Sequence, residues 1–421
     1  MDMKITPRPL RGETEGIPSK AHGHRLLIAS ALADRPTRLY LGELSEDLRM
    51  TFSALTRMGM RSREEKDGSV LIFPIEEMPC TRTIDCGCSG STLRFLFPLA
   101  AALGCNGYTY TGSARLGERP MEPLIEAMKR HGVLIRGEQF PYRVSGQLHG
   151  GIFYLPGNVS SQFLSGLLFA LPLLIADSRI ELTSPLESAS YVDMTIAVLR
   201  QFGVKIKREG NRFEVKGRQT YASPGTVTVE KDWSNSAFWL AAGALSDEIT
   251  VTGLDLASAQ GDKAILSLLR QMTEKSTSAP VEGIRVKKET LYATEIDASQ
   301  IPDLVPVLAV LGCAAKGTTT IRNGARLRLK ESDRLKALAE NLKTLGADIE
   351  ETADGLVIRG GKQLHGGEVD SFDDHRIAMA MALASVLCEK DVVIKNAGAV
   401  AKSYPAFFDD FKKLGGQCDV L

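Results

Sequence analysis

Six stretches of the chain open on a small or polar residue and run straight into an apolar, Ala/Leu-rich segment of helical length: SKAHGHRLLIASALA, GSTLRFLFPLAAAL, SSQFLSGLLFALPLL, SNSAFWLAAGAL, IPDLVPVLAVLG and DDHRIAMAMALAS. With Lys20, Ser91, Ser161, Asn235, Pro302 and His375 as markers, the spacings are 71, 70, 74, 67 and 73 residues. Regularity at that length predicts a repeat architecture. A β-branched strand follows each apolar helix (TRLYL, YTYTG, RIELT, EITVTG, TTTIRN, VVIKN). Next comes an amphipathic helix ending near Gly (ALTRMGM, LIEAMKRHG, IAVLRQFG, ILSLLRQM, LAENLKTLG, FFDDFKKLGG). A further strand closes most units, as in VLIFP, YRVSG, FEVKG, IRVKK and LVIRG. Each repeat is therefore predicted to be an α/β module with one helix apolar all round, hence buried, and one apolar on a single face, hence at the surface.

At 421 residues the chain is too long for one ordinary core. Six modules group naturally as three and three, in two domains flanking a cleft, with the segment near Gly225 as the expected crossing. Charge narrows the function. Lys plus Arg and Asp plus Glu number 51 each, which removes the basic excess of a nucleic-acid binder. No apolar run reaches the roughly 18 residues of a membrane helix, and MDMKITPRPL has no apolar signal core, so a cytoplasmic protein without a membrane partner is expected. The seven cysteines are odd in number and sit in apolar surroundings, as reduced thiols do. Cys86 and Cys88 form a CxC and His22 and His24 an HxH, but neither has further ligands at metal spacing, and no metal is expected.

The chemistry should lie where the buried helices begin. Lys20 and Arg25, Ser89 to Ser91, Ser160 to Gln162, Ser234 to Ser236, Asp303, and Asp374 to Arg376 stand there. A helix start offers free N–H groups and a positive dipole end to an anion, although Ser, Asn and Asp are also ordinary caps. Repetition favours the first reading, because equivalent modules point equivalent ends the same way. Loops add Arg119 in LGERP, Tyr191 in SASYVD, Lys330 to Arg334 in KESDR and Lys402 in AKSYP. A lone cation in a loop is usually solvated. In a chain of zero net charge, seven cations at module ends predict a basic site for a ligand set rich in phosphate and carboxylate. Asp303 and Glu331 stand among them; each reads either as a base held in a cationic site or as a cap or surface charge. GCSGST lacks the Gly-Lys-Ser/Thr ending of a phosphate-binding loop of nucleotide enzymes, and no Gly-x-Ser-x-Gly elbow is present.

Over essentially its full length the chain resembles the family of 5-enolpyruvylshikimate-3-phosphate synthases. The matches are PSKxxxHR around Lys20, GxSGSTLR around Gly90, LGERP at Arg119, SSQ at 160–162, SYVDMT around Tyr191, IPD at Asp303, KESDR at Lys330, DHR at Arg376 and AKSYP at Lys402, in family order and at family intervals. The resemblance implies two similar domains, each of three βαβαββ repeats around buried helices, with the active site in the cleft between them. The expected division is an inserted domain, 16–227, and a discontinuous one, 1–15 with 228–421. The implied reaction moves the enolpyruvyl (carboxyvinyl) group of phosphoenolpyruvate to the 5-hydroxyl of shikimate 3-phosphate by addition and elimination through a tetrahedral ketal, within chorismate biosynthesis. No cofactor and no metal are implied; a monomer is expected, acting on these two small molecules and on no nucleic acid or membrane. Glyphosate is the implied competitor of phosphoenolpyruvate.

The resemblance also implies roles. Lys20, Arg25, Ser160, Ser161, Gln162, Ser188, Tyr191, Asp303 and Lys330 would hold shikimate 3-phosphate. Lys20, Gly90, Ser91, Arg119, Gln162, Arg334, Arg376 and Lys402 would hold phosphoenolpyruvate. Asp303 would take the 5-hydroxyl proton, and Glu331 with Lys20 would handle the methylene proton. Ala21 stands where the family usually has Ser, removing one hydrogen bond to shikimate 3-phosphate, with His22 or His24 next in line to fill it. Asn323, Arg326 and Arg328 compete for one further substrate contact. Three other readings stay open. The related UDP-N-acetylglucosamine enolpyruvyl transferase usually has a reactive Cys in the loop matching GSARLGERP, absent here. A ring clamp on DNA would need cationic inner helices. A paralogue of weakened activity would follow from Ala21.

Overall fold

The computed structural model describes residues 1–77, 82–104, 107–137, 139–273 and 283–421. Cys80 and Cys105 lie outside the described residues; Cys86, Cys88, Cys313, Cys388 and Cys418 are free thiols. The chain divides into two compact units, Met1–Ile17 with Glu230–Leu421, and Pro18–Val229. The crossings fall at 17–18 and 229–230.

In the inserted unit the helices are α1 (Lys20–Ala31), α2 (Glu46–Arg57), α3 (Gly90–Ala102), a one-turn α4 (Ala114–Gly117), α5 (Glu122–Lys129), α6 (Ser161–Ala170) and α7 (Ala189–Gln201). α1, α3 and α6 are buried nearly end to end, as their all-round apolar sequences require. α2 and α5 bury one face each. α3 and α6 touch closely enough that a Cβ on Gly166 would stand 2.1 Å from the Arg94 carbonyl oxygen. Only glycine permits that approach, and it brings the α3 and α6 starts side by side. Three four-stranded sheets cover the helices, all on one plan. In the third repeat Ile152–Leu155 lies parallel to Ser178–Leu182, which is followed antiparallel by Arg212–Val215 and Ile206–Glu209. The opening strand of the first repeat, Thr226–Thr228, arrives from the far end of the unit to pair with Thr37–Tyr40.

The discontinuous unit contains α8 (Trp233–Leu245), α9 (Ile265–Met272), α10 (Val305–Ala314), α11 (Arg334–Thr344), α12 (His375–Ala384) and α13 (Phe407–Lys413). Here α8, α10 and α12 form the buried set. The first residues of the chain lend this unit two strands. Gly12–Glu15 lies parallel to Ile249–Thr252 and opens the fourth repeat. Met3–Thr6 lies between Val392–Lys395 and Gln417–Val420, antiparallel to both. It thereby fills the closing-strand position of the sixth repeat. Among the described residues, no helix is long and apolar enough to cross a membrane, and no group of three or more His, Cys, Asp or Glu residues is placed to hold a metal.

Candidate active site

In the inserted unit the starts of α1, α3 and α6 carry the candidate residues, and each has a built cap. Ser19 accepts from the His22 amide, Ser89 from the Thr92 amide and Ser160 from the Gln162 amide. The capping reading and the ligand reading thus divide between neighbours: the caps are Ser19, Ser89 and Ser160, leaving Lys20, Gly90, Ser91 and Ser161 in the first turns. The Lys20 ammonium pairs with Asp47 at 2.8 Å. Arg25 is buried and committed: Nε donates to Thr195 Oγ1 (2.8 Å), while its two terminal nitrogens donate to the Ala21 carbonyl (2.6 Å) and the Tyr191 carbonyl (2.9 Å). Its guanidinium also lies over the rings of Phe95 and Tyr191. Arg25 therefore fixes the Tyr191 end of α7 against α1. Ser188, immediately before α7, holds φ at +52°, a conformation non-glycine residues seldom adopt.

Gln162 bridges the other two helix starts. Its Nε2 donates to Ser91 Oγ (2.9 Å), and its Oε1 accepts from Arg94 (2.8 Å). Arg94 in turn donates to the Pro120 carbonyl (2.9 Å), beside Arg119. A Cβ on Gly90 would lie 2.9 Å from an Arg119 terminal nitrogen, which places that guanidinium directly over the α3 start. The sequence reading missed Arg94 and Asp47. A single Arg in an otherwise apolar helix is a signal for the first. Asp47 in the SED at the α2 start looks like any acidic first-turn residue.

The discontinuous unit gathers the rest. Arg334 is 1% exposed, and three carboxylates take its guanidinium at 2.8 Å each: Asp374 on Nε, with Asp303 and Glu331 on the terminal nitrogens. Asp374 also caps α12, accepting from the Arg376 amide (2.9 Å), and takes the Ser332 hydroxyl (3.1 Å). Arg334, expected to hold phosphoenolpyruvate, is thus the buried hub of an anionic cage. Asp303 lies in a 3₁₀ turn (Pro302–Leu304) ahead of α10, whose cap position is taken by Leu304. Its Oδ1 faces Arg334 (2.8 Å), Lys330 (3.5 Å) and Arg376 (3.5 Å). Burial outweighs the pull of Asp303 and lowers Lys330 to about 8. Burial also pushes the Asp262 carboxyl up to about 7, with Asp303 adding to it. Lys402 reaches the carbonyl and the carboxylate of Asp373 at 2.6 Å, where Asp373 holds φ at +55°.

The remaining candidates are also placed. Arg328 donates to Asp333 (3.0 Å) and the Thr352 carbonyl (2.7 Å), Arg326 to the Ser299 carbonyl (2.6 Å) and Asn323 to Asp297 (3.1 Å). All three have partners inside the unit, and the geometry favours none over the others. His24 lies in the core and does not take the place of the missing hydroxyl at Ala21. Burial, helped by Arg25, holds His22 down at about 4, so it is neutral near pH 7.

Two units of three repeats, with cations, serines and carboxylates gathered near helix starts, define an enolpyruvyl-transferase architecture. An enolpyruvyl transferase from Streptomyces tendae, NikO, shares this fold at a TM-score of 0.82, with 19% identity over 99% of this chain and 98% of that one. The chain belongs to the EPSP synthase (3-phosphoshikimate 1-carboxyvinyltransferase) family, whose model matches residues 5–411. A 3-phosphoshikimate 1-carboxyvinyltransferase of Clostridium perfringens is 43% identical over 416 residues, 98% of each chain. One of Clostridium acetobutylicum is 42% identical over 426 residues, covering 98% of this chain and 97% of its own. An EPSP synthase structure from Acinetobacter baumannii superposes with a TM-score of 0.82 at 25% identity, over the whole of both chains.

Proposed function

We propose that this protein transfers the enolpyruvyl group of phosphoenolpyruvate to the 5-hydroxyl of shikimate 3-phosphate and releases phosphate. The observation that carries the reading is Asp303: a carboxylate faced by Lys330, Arg334 and Arg376. A carboxylate in that place can serve as the general base of the transfer. The two ligands together bring a charge of about −5, each phosphate counting for nearly two. Lys20, Arg25, Arg119, Lys330, Arg376 and Lys402 supply the opposing charge, while Arg334 orders the carboxylates. Ser160, Ser161, Gln162, Ser188 and Tyr191 join Lys20, Arg25, Asp303 and Lys330 on shikimate 3-phosphate. Gly90, Ser91, Arg119, Gln162, Arg376 and Lys402 join Lys20 on phosphoenolpyruvate, and Arg334, expected there from the sequence, acts instead through the carboxylates it holds.

In the addition step, Asp303 takes the 5-hydroxyl proton as that oxygen bonds to C2 of phosphoenolpyruvate. C3 receives a proton, the step assigned to Glu331 with Lys20, giving the ketal. In the elimination step the C2–O bond to phosphate breaks, the departing phosphate takes the proton held by Asp303, and a C3 proton returns to the same two groups. Phosphate released with both substrates, and with neither alone, tests the reading. Release with UDP-N-acetylglucosamine in place of shikimate 3-phosphate would overturn it.

Two further outcomes follow. The charged form of Lys330 binds the anion, so affinity for shikimate 3-phosphate should fall as pH rises through about 8, by up to about tenfold per pH unit. Titration calorimetry from about pH 7 to 9 reads this, and Lys330→Met should flatten the slope; a parent with no slope would remove Lys330 from the site. Gly90→Ala puts a methyl group 2.9 Å from the Arg119 guanidinium, the far end of a flexible side chain that can give way. The KM for phosphoenolpyruvate should rise roughly three- to tenfold and glyphosate inhibition should weaken more, in line with overpacking costs of about 1–3 kcal/mol. Unchanged values for both ligands would place Arg119 elsewhere in catalysis.

A further inference from the structure

Inside the inserted unit, four buried polar side chains form a hydrogen-bonded line across three helices. His24, 1% exposed, lies on α1 one turn beyond Lys20. Its Nδ1 is 2.8 Å from Thr51 Oγ1 on α2; Thr51 Oγ1 is 2.6 Å from Thr92 Oγ1 on α3; and the Thr92 hydroxyl donates to Ser89 Oγ at 2.7 Å. All three hydroxyl residues are fully buried. Ser89 is also the α3 cap, accepting the Thr92 amide at 3.2 Å.

The direction of the line follows from its last bond, in which the Thr92 hydroxyl is the donor. Each hydroxyl has one to give. Thr92 gives its proton to Ser89, so it must accept from Thr51. Thr51 gives its proton to Thr92, so it must accept from His24. His24 Nδ1 therefore carries the imidazole proton, and Nε2, buried with no hydrogen-bond partner, is the bare nitrogen. In the opposite tautomer Nε2–H would be a stranded donor, and one oxygen pair along the line would have no proton between its members. Burial, with Lys20 and Arg25 on the same helix, pushes the imidazole well below its ordinary value, so it remains neutral.

We propose that His24 is a positioning residue for the enolpyruvyl transfer, acting through Thr51 and Thr92 to set the α1 start carrying Lys20 against the α3 start carrying Gly90 and Ser91. α2 is the bar between them. Asp47 on its first turn holds the Lys20 ammonium, and Thr51, one turn later, holds the line from His24 to Ser89. Apolar side chains would fill this space without needing partners. A complete directional line instead admits one spacing of the three helices. The inference rests on the phosphoenolpyruvate role assigned above to Lys20, Gly90 and Ser91.

The test pairs spectroscopy with kinetics. In protein carrying ¹⁵N-labelled histidine, His24 should show a protonated Nδ1 and an unprotonated Nε2, unchanged between about pH 5 and 8, where an ordinary histidine titrates. Thr51→Val keeps the side-chain shape and cuts the line in the middle. It should raise the KM for phosphoenolpyruvate roughly tenfold and leave that for shikimate 3-phosphate within about threefold, whereas Thr51→Ser should stay within about twofold of the parent. A protonated Nε2, an equal rise in both KM values, or a Thr51→Val protein with parental kinetics would overturn the proposal. Should Thr51→Val not fold, Thr92→Val is read by the same criteria. The tautomer does not depend on the substrate assignment, so failure of that assignment would show in the parent's phosphate release instead.

Discussion

Asp303→Asn is expected to fold as the parent does and to turn over roughly 10²- to 10⁴-fold more slowly, the usual contribution of a general base. Asn is the informative replacement because it keeps the volume and leaves one oxygen to accept from Arg334 and Lys330, which approach Oδ1 at 2.8 and 3.5 Å. What it removes is the capacity to take a proton. Binding of shikimate 3-phosphate should therefore survive within about tenfold while the chemical step collapses. Single-turnover phosphate release, with calorimetric binding of shikimate 3-phosphate alongside, separates the two. Turnover within tenfold of the parent would show that another group takes the 5-hydroxyl proton.

The largest stability effect should come from Arg334→Met. The side chain is 1% exposed and holds Asp303, Glu331 and Asp374 at 2.8 Å. Met replaces its bulk but takes away the cation that three carboxylates share, and breaking a buried charge pair typically costs about 3–5 kcal/mol. The sign with pH follows from the excess negative charge left behind. Protonation relieves it, so the deficit should be full near pH 7 and should narrow as pH falls toward about 5. Both tryptophans, Trp233 and Trp239, are buried on α8, so the fluorescence midpoint in urea reads this unit. A loss below about 1 kcal/mol would mean that water reaches the cage and screens it.

Much of this architecture can be read along the chain because helix burial is a local property. All-round apolar α8 and α10 versus one-sided α2 and α5 follow directly from side-chain period. Pairing between remote strands does not. Five closing strands stand out in the sequence, and the sixth is supplied by Met3–Thr6, whose MKIT gives no hint that its partners lie at 392–395 and 417–420. Likewise Thr226–Thr228 pairs with Thr37–Tyr40 across most of the unit. Among the site residues, the capped helix starts were legible because Ser and Asp are placed there by backbone chemistry. The committed state of Arg334 was not. A guanidinium aimed at a ligand and one caged by Asp374, 40 positions further along, look alike until the chain between them is folded. The line from His24 to Ser89 was hidden for the same reason, since its members come from three helices.

The pairing of the first strand has a consequence for synthesis. Residues 1–17 emerge from the ribosome before any of their partner strands and must wait while 18–229, a unit complete in itself, is made. The inserted unit is therefore free to form first, and the discontinuous one closes only when 392–395 and 417–420 arrive. The Leu421 amide donates to the Asp2 carbonyl at 3.1 Å, so the two ends of the chain lie side by side. Tied there and opened between Ile17 and Pro18, the same residues would read as two units in tandem, each made in one continuous stretch. Such a circular permutant would keep every strand pairing described above and remove the wait.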